Sequence, residues 1–247
     1  MKEHILVSLG KSRFDNPSDN SVHLVDDETA NGFLNDLEKY PHAFVLSCLM
    51  DRQIKAERAW MIPKYIMDDL GSFLMSDLAK QPVEYYQQVF VKMKLHRYNS
   101  TMASIFYKAI IKIEKEYGGI ASEIWSNKPS SATVVYRFLQ FEGCGIKIAT
   151  MAANILARQF RVQFSDYYSI DISPDVHVLR VLRRTGLVEP NANIDSIIYK
   201  SRELCPSFPG IIDYSCWEIG RKWCRPTNPL CKSCEIRDEC KKVIAFE

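Results

Sequence analysis

The residues with the clearest chemical potential are four cysteines close together near the end of the sequence, Cys224, Cys231, Cys234 and Cys240. Their spacing, Cys-x6-Cys-x2-Cys-x5-Cys, supplies four thiolates from one short loop, which is the ligand count of a [4Fe–4S] cluster. Zinc is the alternative metal. Structural zinc sites commonly use two well-separated Cys-x2-Cys pairs, and this loop has only one. The spacing therefore favours iron–sulfur over zinc.

A second feature is a glycine turn followed by a lysine, Gly143-Cys144-Gly145 and then Ile146 and Lys147. Two glycines allow a sharp bend that leaves backbone N–H groups exposed at the start of the next helix, where a phosphate oxygen can bind. An ammonium in the first turn of that helix is disfavoured relative to the neutral amine, which is the nucleophilic form. A plain tight turn, with a lysine that touches a phosphate, explains the same residues.

The context of this turn resembles a known family. Residues 141–149 resemble the helix-hairpin-helix of the endonuclease III family of DNA glycosylases, usually Leu-Pro-Gly-Val-Gly-Arg-Lys-Thr-Ala. Residues 175–181, Asp-Val-His-Val-Leu-Arg-Val, are similar to the family's Asp-Thr-His-x-x-Arg-Val segment, and the cysteine spacing matches the family's loop completely. The resemblance implies that Lys147 is the nucleophile, that Asp175 is the essential carboxylate and that the four cysteines hold a [4Fe–4S] cluster. Taken alone, Asp175 would be a helix cap.

The resemblance extends upstream to two further segments. Residues 95–100 look like the family's Gly-Leu-Tyr-Asn-Ser segment, and residues 50–53, Met-Asp-Arg-Gln, occupy the place of its Leu-Ser-Ala-Gln. This implies that Gln53 fills the gap left by a rotated-out nucleotide; a polar loop between helices is the alternative. The DNA-binding residues expected on this basis are Arg52, Gln53, Gly143, Gly145 and Ile146.

The matches cover roughly residues 40–240 and imply a bifunctional DNA glycosylase and abasic-site lyase of base excision repair. Its partner would be double-stranded DNA with a damaged base or an abasic site. The Lys147 amine would attack the sugar C1′ with assistance from Asp175, and the resulting Schiff base would permit β-elimination. Two alternatives are a monofunctional glycosylase for alkylated or mismatched bases and a non-catalytic iron–sulfur DNA-binding protein on the same scaffold.

Three departures from the family pattern qualify the resemblance. Glu142 replaces the proline before the hairpin and places a negative charge where a phosphate should bind. Lys147 and Asp175 are 28 positions apart, about ten more than in the family pattern. This additional length also contains Asp171, a fallback carboxylate that lacks the Asp-x-His-x-x-Arg context. Third, the acidic first 40 residues contain no recognisable motif.

Composition sets broad limits on the protein. The 247 residues carry a net charge of +2, but residues 1–40 have four basic and eight acidic side chains, so the rest of the chain is modestly basic. A polyanionic partner or a solvated surface fits that balance. No apolar run approaches the length of a membrane span or a signal peptide. We expect a cytoplasmic monomer with no membrane partner, associated with the nucleoid if the source is prokaryotic.

Sparse glycine and proline, 10 and 11 residues, favour long helices. We predict an all-α, two-domain helix-hairpin-helix glycosylase fold. Its helical barrel would be residues 41–165, with the hairpin at 142–146, and its cluster domain residues 1–40 and 166–247, with the cluster loop at 224–240. Helical periodicity or capping residues predict helices at 44–49, 56–67, after Asn99, at 131–139, from Ile146, from Ser173-Pro174 and over 207–223. Weak strand signals occur at residues 5–7 and 22–25.

Overall fold

The computed structural model describes residues 3–16 and 24–244, and within these ranges the chain forms α-helices and no β-strand. The α-helices are α1 (Ile5–Asp15), α2 (Glu28–Asn35), α3 (Pro41–Met50), α4 (Ala56–Leu70), α5 (Met75–Lys80), α6 (Val83–Lys92), α7 (Asn99–Glu116), α8 (Ser131–Leu139), α9 (Ile146–Arg158), α10 (Val176–Thr185), α11 (Ile194–Leu204) and α12 (Asp213–Lys222). Short 3-10 helices lie at Ala121–Ile124, Pro209–Ile212 and Cys231–Ser233. None of the helices in the described ranges has the length and apolarity that crossing a bilayer requires. The all-α prediction is confirmed.

Most of the predicted helices form where the sequence indicated, but the helix predicted over 207–223 is the short 3-10 helix Pro209–Ile212 followed by α12, which begins at Asp213. Helix α8 covers residues 131–139 and α9 begins at Ile146, so the glycine hairpin joins two helices as expected. Helix α7 begins at Asn99, and Met102, Phe106 and Ile110 lie on its buried face. The three-and-four spacing of these apolar residues is what places them on one side of the helix.

The chain divides into two compact units. The hairpin unit contains Asp19–Pro129 and Tyr136–Ala152, and the cysteine unit contains Met1–Ser18, Ser130–Val135 and Ala153–Glu247. Residues 24–40 therefore group with the hairpin unit, and residues 130–135 and 153–165 group with the cysteine unit. The sequence suggested divisions after residues 40 and 165. Helix α2 joins the hairpin unit because it packs on α3 and α4.

The core of the hairpin unit surrounds α3, in which every residue is buried. Helices α2, α4 and α7 pack on α3, and the Phe44 ring lies 5.8 Å from Trp60 and 6.0 Å from Trp125. A helix that is apolar on all sides needs such enclosure. The loop that follows α3, which carries Arg52 and Gln53, thus starts from a rigid base.

The cysteine unit is organised by the close packing of α10 on α12. Gly220 permits this approach, because a Cβ atom there would lie 2.7 Å from His177 Cβ. Helix α1 packs on α12 and on the Pro209–Ile212 turn. This arrangement fixes the residues at the start of α10, where Asp175 lies.

Two local expectations were wrong. Residues 5–7 are not a strand but lie in α1, where Leu6 and Val7 are buried against the cysteine unit; of the second strand signal, Leu24 and Val25 are not in a strand, and residues 22–23 lie outside the described ranges. Ser173 does not cap a helix. Helix α10 begins at Val176 with Asp175 as its N-cap, because Asp175 Oδ1 accepts a hydrogen bond from Val178 N at 2.8 Å.

Candidate active site and cysteine loop

The hairpin turn is built on Gly143. Its φ of +80° is in the left-handed region, and a Cβ atom there would lie 2.9 Å from both Arg52 Nη1 and Ile105 Cδ1. Glycine is therefore favoured at this position by its conformation, and a larger residue would also displace the ends of the Arg52 and Ile105 side chains. Gly145 differs, because a Cβ atom there would meet nothing within 4 Å. Its carbonyl accepts hydrogen bonds from Ile148 N and Ala149 N, both at 3.0 Å, which starts α9.

The first backbone N–H groups of α9 are open. Within the described residues, neither Ile146 N nor Lys147 N donates to a backbone carbonyl. Both groups lie at the positive end of a helix, where an anion is stabilised by the free N–H donors and the helix dipole. Ile146 is 49% exposed, so this end of the helix is reachable from solvent. The geometry suits the phosphate-binding role predicted for the hairpin.

Lys147 is half-buried in the first turn of α9. Among the described residues of the hairpin unit, none accepts a hydrogen bond or forms an ion pair with its ammonium group. Most lysines on this unit's surface with a described partner use a neighbouring carboxylate, as Lys112 does with Glu116 at 2.5 Å. The Lys147 amine is therefore not committed to a structural contact.

The charge of Glu142 next to the hairpin is paired. Lys108 Nζ donates to its two carboxylate oxygens at 2.8 Å and 2.7 Å, and both side chains are more than half exposed. An exposed pair contributes little to stability, but the lysine offsets the negative charge beside the hairpin. The substitution of glutamate for the family's proline is thus compatible with an anion at the start of α9.

Arg52 and Gln53 lie in the short loop between α3 and α4. Arg52 is half-buried with its guanidinium against Gly143, and Gln53 is exposed with a φ of +54°. Gln53 Oε1 accepts a hydrogen bond from Tyr98 Oη at 3.0 Å, and the Arg97 guanidinium lies 5.4 Å from the Tyr98 ring. The loop therefore brings Arg52 to the hairpin and holds Gln53 by a tyrosine that the sequence analysis did not single out.

Asp175 is held at the start of α10 in the cysteine unit. Besides the cap to Val178 N, its own N–H donates to Ser173 O at 2.8 Å. Its second oxygen, Oδ2, has no hydrogen-bond donor among the described residues of this unit. One carboxylate oxygen is thus used to fix the side chain, and the other is available to a ligand.

The rest of the Asp-x-His-x-x-Arg segment ties α10 to its surroundings. Arg180 contacts His177 Nδ1 at 2.9 Å and donates to Gly220 O at 2.9 Å and Cys224 O at 2.6 Å. These bonds join the helix that carries Asp175 to α12 and to the first residue of the cysteine loop. The fallback carboxylate, Asp171, is buried and forms a bidentate ion pair with Arg202 at 2.8 Å and 2.7 Å, so its charge is already used.

The four loop cysteines, which form no disulfide, line one small cavity together with Ile219, Trp223 and Ile236. Within the described part of the chain, no group of three or more metal-binding side chains is arranged so that it could hold a metal ion. Hydrogen bonds to sulfur come from Arg184 Nη1 to Cys224 Sγ at 3.8 Å and from Lys242 N to Cys240 Sγ at 3.4 Å.

Four cysteines match the ligand count of a cubane cluster, which takes one thiolate at each iron corner. Burial raises the pKa of the Cys234 and Cys240 thiols. Outside the loop, burial raises the pKa of Cys144 to about 12 and raises the pKa of Cys48 well above its usual value, so these thiols stay neutral.

Comparison with known proteins confirms the resemblance seen in the sequence. No family model matches the chain. Endonuclease III of Thermotoga maritima is 31% identical over 70 residues, which cover 28% of this chain and 33% of the relative. The match thus spans only about a third of the length of that curated protein.

Solved structures match over most of the chain. A trapped endonuclease III–DNA covalent intermediate matches with a TM-score of 0.61 and 16% identity, covering 96% of this chain and 93% of the other. A thermostable thymine-DNA glycosylase gives 0.63 and 14%, covering 96% and 94%. An 8-oxoguanine glycosylase/lyase of Clostridium acetobutylicum bound to DNA gives 0.55 and 15%, covering 86% and 76%. The chain therefore has the fold of the endonuclease III-like helix-hairpin-helix DNA glycosylases.

Proposed function

We propose that this protein, which has the endonuclease III fold, is a DNA glycosylase of base excision repair with abasic-site lyase activity. The observation that carries the proposal is the state of Lys147: its amine is uncommitted and stands in the first turn of α9, beside open backbone N–H groups. A lysine so placed can reach the deoxyribose of a nucleotide whose phosphate is held at the same helix end.

DNA binding would begin at the hairpin. The N–H groups of Ile146 and Lys147 and the guanidinium of Arg52 would hold the phosphate backbone without reading a base. Gln53 would occupy the space left in the stack when the damaged nucleotide rotates out, and its bond to Tyr98 keeps the amide in place. Unstacking costs least at a damaged or mispaired base, which contributes to selectivity.

Base removal would then use Lys147 and Asp175. The neutral Lys147 amine attacks C1′, the C1′–N bond breaks, and the base leaves with the bonding electron pair and is protonated. Positive charge develops on the sugar during this step, and the ionised Asp175 stabilises it electrostatically. The proposal thus assigns one catalytic side chain to each unit, Lys147 to the hairpin unit and Asp175 to the cysteine unit.

The lyase step would follow on the same lysine. The Lys147 nitrogen loses its remaining proton as the sugar ring opens, which gives a Schiff base to C1′. Loss of a proton from C2′ then expels the 3′ phosphate and nicks the strand, and water later releases the lysine. If water rather than Lys147 attacked C1′, the protein would remove the base without nicking the strand.

Cys224, Cys231, Cys234 and Cys240 would hold a [4Fe–4S] cluster, which supplies a structural staple for the loop rather than a step of base removal. The loop between these ligands carries Arg225, Lys232 and Arg237, none of which has a described carboxylate partner outside the loop. A basic loop pinned at its ends suits contact with a phosphate backbone. The cluster would give the purified protein broad absorbance near ~400 nm.

The test is borohydride trapping on a panel of duplexes that each contain one modified base or an abasic site. Wild type should release one class of base and form a covalent protein–DNA adduct, and Lys147→Ala should lose the adduct by at least about 1000-fold. Lys115→Ala, an exposed lysine at the end of α7, is the matched control and should trap like wild type.

The remaining outcomes separate the alternatives. Base release without any adduct would indicate a monofunctional glycosylase. Binding of abasic DNA with neither release nor nicking would indicate a non-catalytic protein. Equal trapping by wild type and Lys147→Ala would show that the nucleophile assignment is wrong.

A further inference from the structure

A second carboxyl group in the cysteine unit is linked to Asp175 through the backbone of Ser173. Asp213 is the first residue of α12, and its Oδ1 accepts a hydrogen bond from Ser173 N at 2.9 Å. Ser173 is buried. Forty residues separate the two partners in the sequence, so this bond ties the start of α12 to the turn before α10.

The same turn positions Asp175. Ser173 O accepts a hydrogen bond from Asp175 N at 2.8 Å, and Asp175 Oδ1 then caps α10 at Val178 N. A continuous set of bonds therefore runs from the Asp213 carboxyl through the Ser173 peptide to the Asp175 side chain. No other described side chain accepts from the Ser173 N–H, so removal of Asp213 would leave a buried donor without a partner.

The ionisable groups near Asp213 lie on α1, α9, α10 and its own helix, α12. Arg158 of α9 and Asp175 at α10 act on its carboxyl, and Cys216 of α12 lies near it with a thiol kept neutral by burial, which raises its pKa. Arg13 of α1 forms an ion pair with Glu218 at 2.5 Å rather than with Asp213. Burial first, and the Asp175 charge in addition, raise the pKa of Asp213 to about 7. Asp213 is therefore partly protonated at neutral pH.

We propose that Asp213 is a positioning residue for Asp175, which holds the Ser173–Asp175 turn so that the free oxygen of Asp175 keeps one orientation. This inference rests on the proposed function, in which Asp175 assists the attack on the sugar. Asp213 itself would touch neither substrate nor reacting atoms. Its effect is exerted through the hydrogen bond to the backbone of Ser173.

The catalytic test compares Asp213→Ala with Asp213→Asn in single-turnover base release. Loss of the anchor should slow release by about 100-fold, because a displacement of a reacting group by about 1 Å costs that much. Asp213→Asn keeps an oxygen for Ser173 N and should restore the rate to within about 5-fold of wild type at pH 7, with a flatter pH profile between pH 6 and 8. Asp195→Ala, an exposed acid in the first turn of α11, is the control and should have no effect. If Asp213→Ala matched wild type, or Asp213→Asn were as slow as Asp213→Ala, the inference would be wrong.

A second test does not depend on activity. NMR of wild type should show the Asp213 carboxyl carbon titrating near pH 7, and the Ser173 amide signal should follow the same ionisation and lose that inflection in Asp213→Asn. A Ser173 signal that does not follow Asp213, or that Asp213→Asn leaves unchanged, would overturn the inference even if the protein proved to have no glycosylase activity. Conversely, a Ser173 signal that follows Asp213 in an inactive protein would overturn the proposed function alone.

The raised pKa of Asp213 also predicts how the free energy of unfolding changes with pH. Since its pKa is 3.8 in the unfolded chain and about 7 in the folded protein, the folded state holds a proton that the unfolded state has lost between these values. Wild type should therefore lose stability relative to Asp213→Asn as the pH rises from about 4 to about 7. Comparison of the two proteins removes the opposite effect of His42 and His96, whose pKa values are lowered by burial. Urea unfolding at several pH values measures the difference, and a parallel course of the two proteins would contradict the raised pKa of Asp213.

Discussion

The two candidate catalytic side chains are held in opposite ways. Lys147 follows a turn in which Gly143 has a positive φ, a conformation that favours glycine. Within its unit, no described side chain binds the Lys147 amine. Asp175 is fixed by its cap to Val178 and by the turn that Asp213 anchors, and α10 is tied further by Arg180. A nucleophile must move during reaction and must not be neutralised, whereas a carboxylate that stabilises charge acts best when it is held still. The contrast predicts that loss of the Asp175 cap affects both rate and stability and that changes at Lys147 affect rate alone.

The strongest test of this contrast separates charge from capping at Asp175. Asp175→Asn should slow base release by about 1000-fold, because the charge is lost, with stability unchanged within about 0.5 kcal/mol, because asparagine is a good N-cap. Asp175→Ala should slow release equally and also lower the free energy of unfolding by about 1 kcal/mol. Lys147→Ala should leave unfolding unchanged. Single-turnover kinetics and urea unfolding measure both quantities, and a stability loss in Lys147→Ala as large as that in Asp175→Ala would remove the contrast.

Disruption of the cysteine loop should loosen the start of α10, where Asp175 lies, without changing the hairpin turn. Arg180 connects α10 to Cys224 O, and Arg184 donates to Arg225 O at 2.6 Å and Pro226 O at 2.9 Å. Cys231→Ser should abolish the absorbance near ~400 nm and lower the free energy of unfolding by more than about 2 kcal/mol. Amide exchange should quicken at the start of α10. Cys205→Ala, outside the loop, is the control and should keep the absorbance.

Retention of the absorbance in Cys231→Ser would show that Cys231 is not a ligand. If amide exchange at Gly143 increased as much as at Val178, the loop would not act selectively on the start of α10, where Asp175 lies.

The parts that could be predicted from the sequence rest on local signals. Helices α8 and α9 and the turn at Gly143 follow from apolar spacing and two glycines within a few residues, and the cysteine loop follows from spacing alone. The first strand signal failed because Ile5, Leu6 and Val7 favour a strand locally, while packing on the cysteine unit makes them helical.

The parts that could not be predicted depend on partners far away in the sequence. Lys108 neutralises Glu142 from 34 residues away, and Tyr98 holds Gln53 from 45 residues away. Asp213 reaches Ser173 across 40 residues. No periodicity or spacing rule links such pairs, since they meet only when helices pack. The candidate residues could therefore be identified from the sequence, but the contacts that hold each of them in place could not.

The smallest expected effect distinguishes the two glycines of the hairpin. Gly143→Ala should lower the free energy of unfolding by about 1–2 kcal/mol, because alanine is strained at a φ of +80° and its Cβ would press on Arg52 and Ile105. Gly145→Ala should cost less than about 1 kcal/mol, since its Cβ would meet no atom within 4 Å. That open space is where a DNA backbone would approach, so Gly145→Ala should still weaken binding of abasic duplex. Urea unfolding and fluorescence anisotropy measure the two effects, and equal stability losses in the two variants would show that Gly143 alone does not shape the turn on which Lys147 stands.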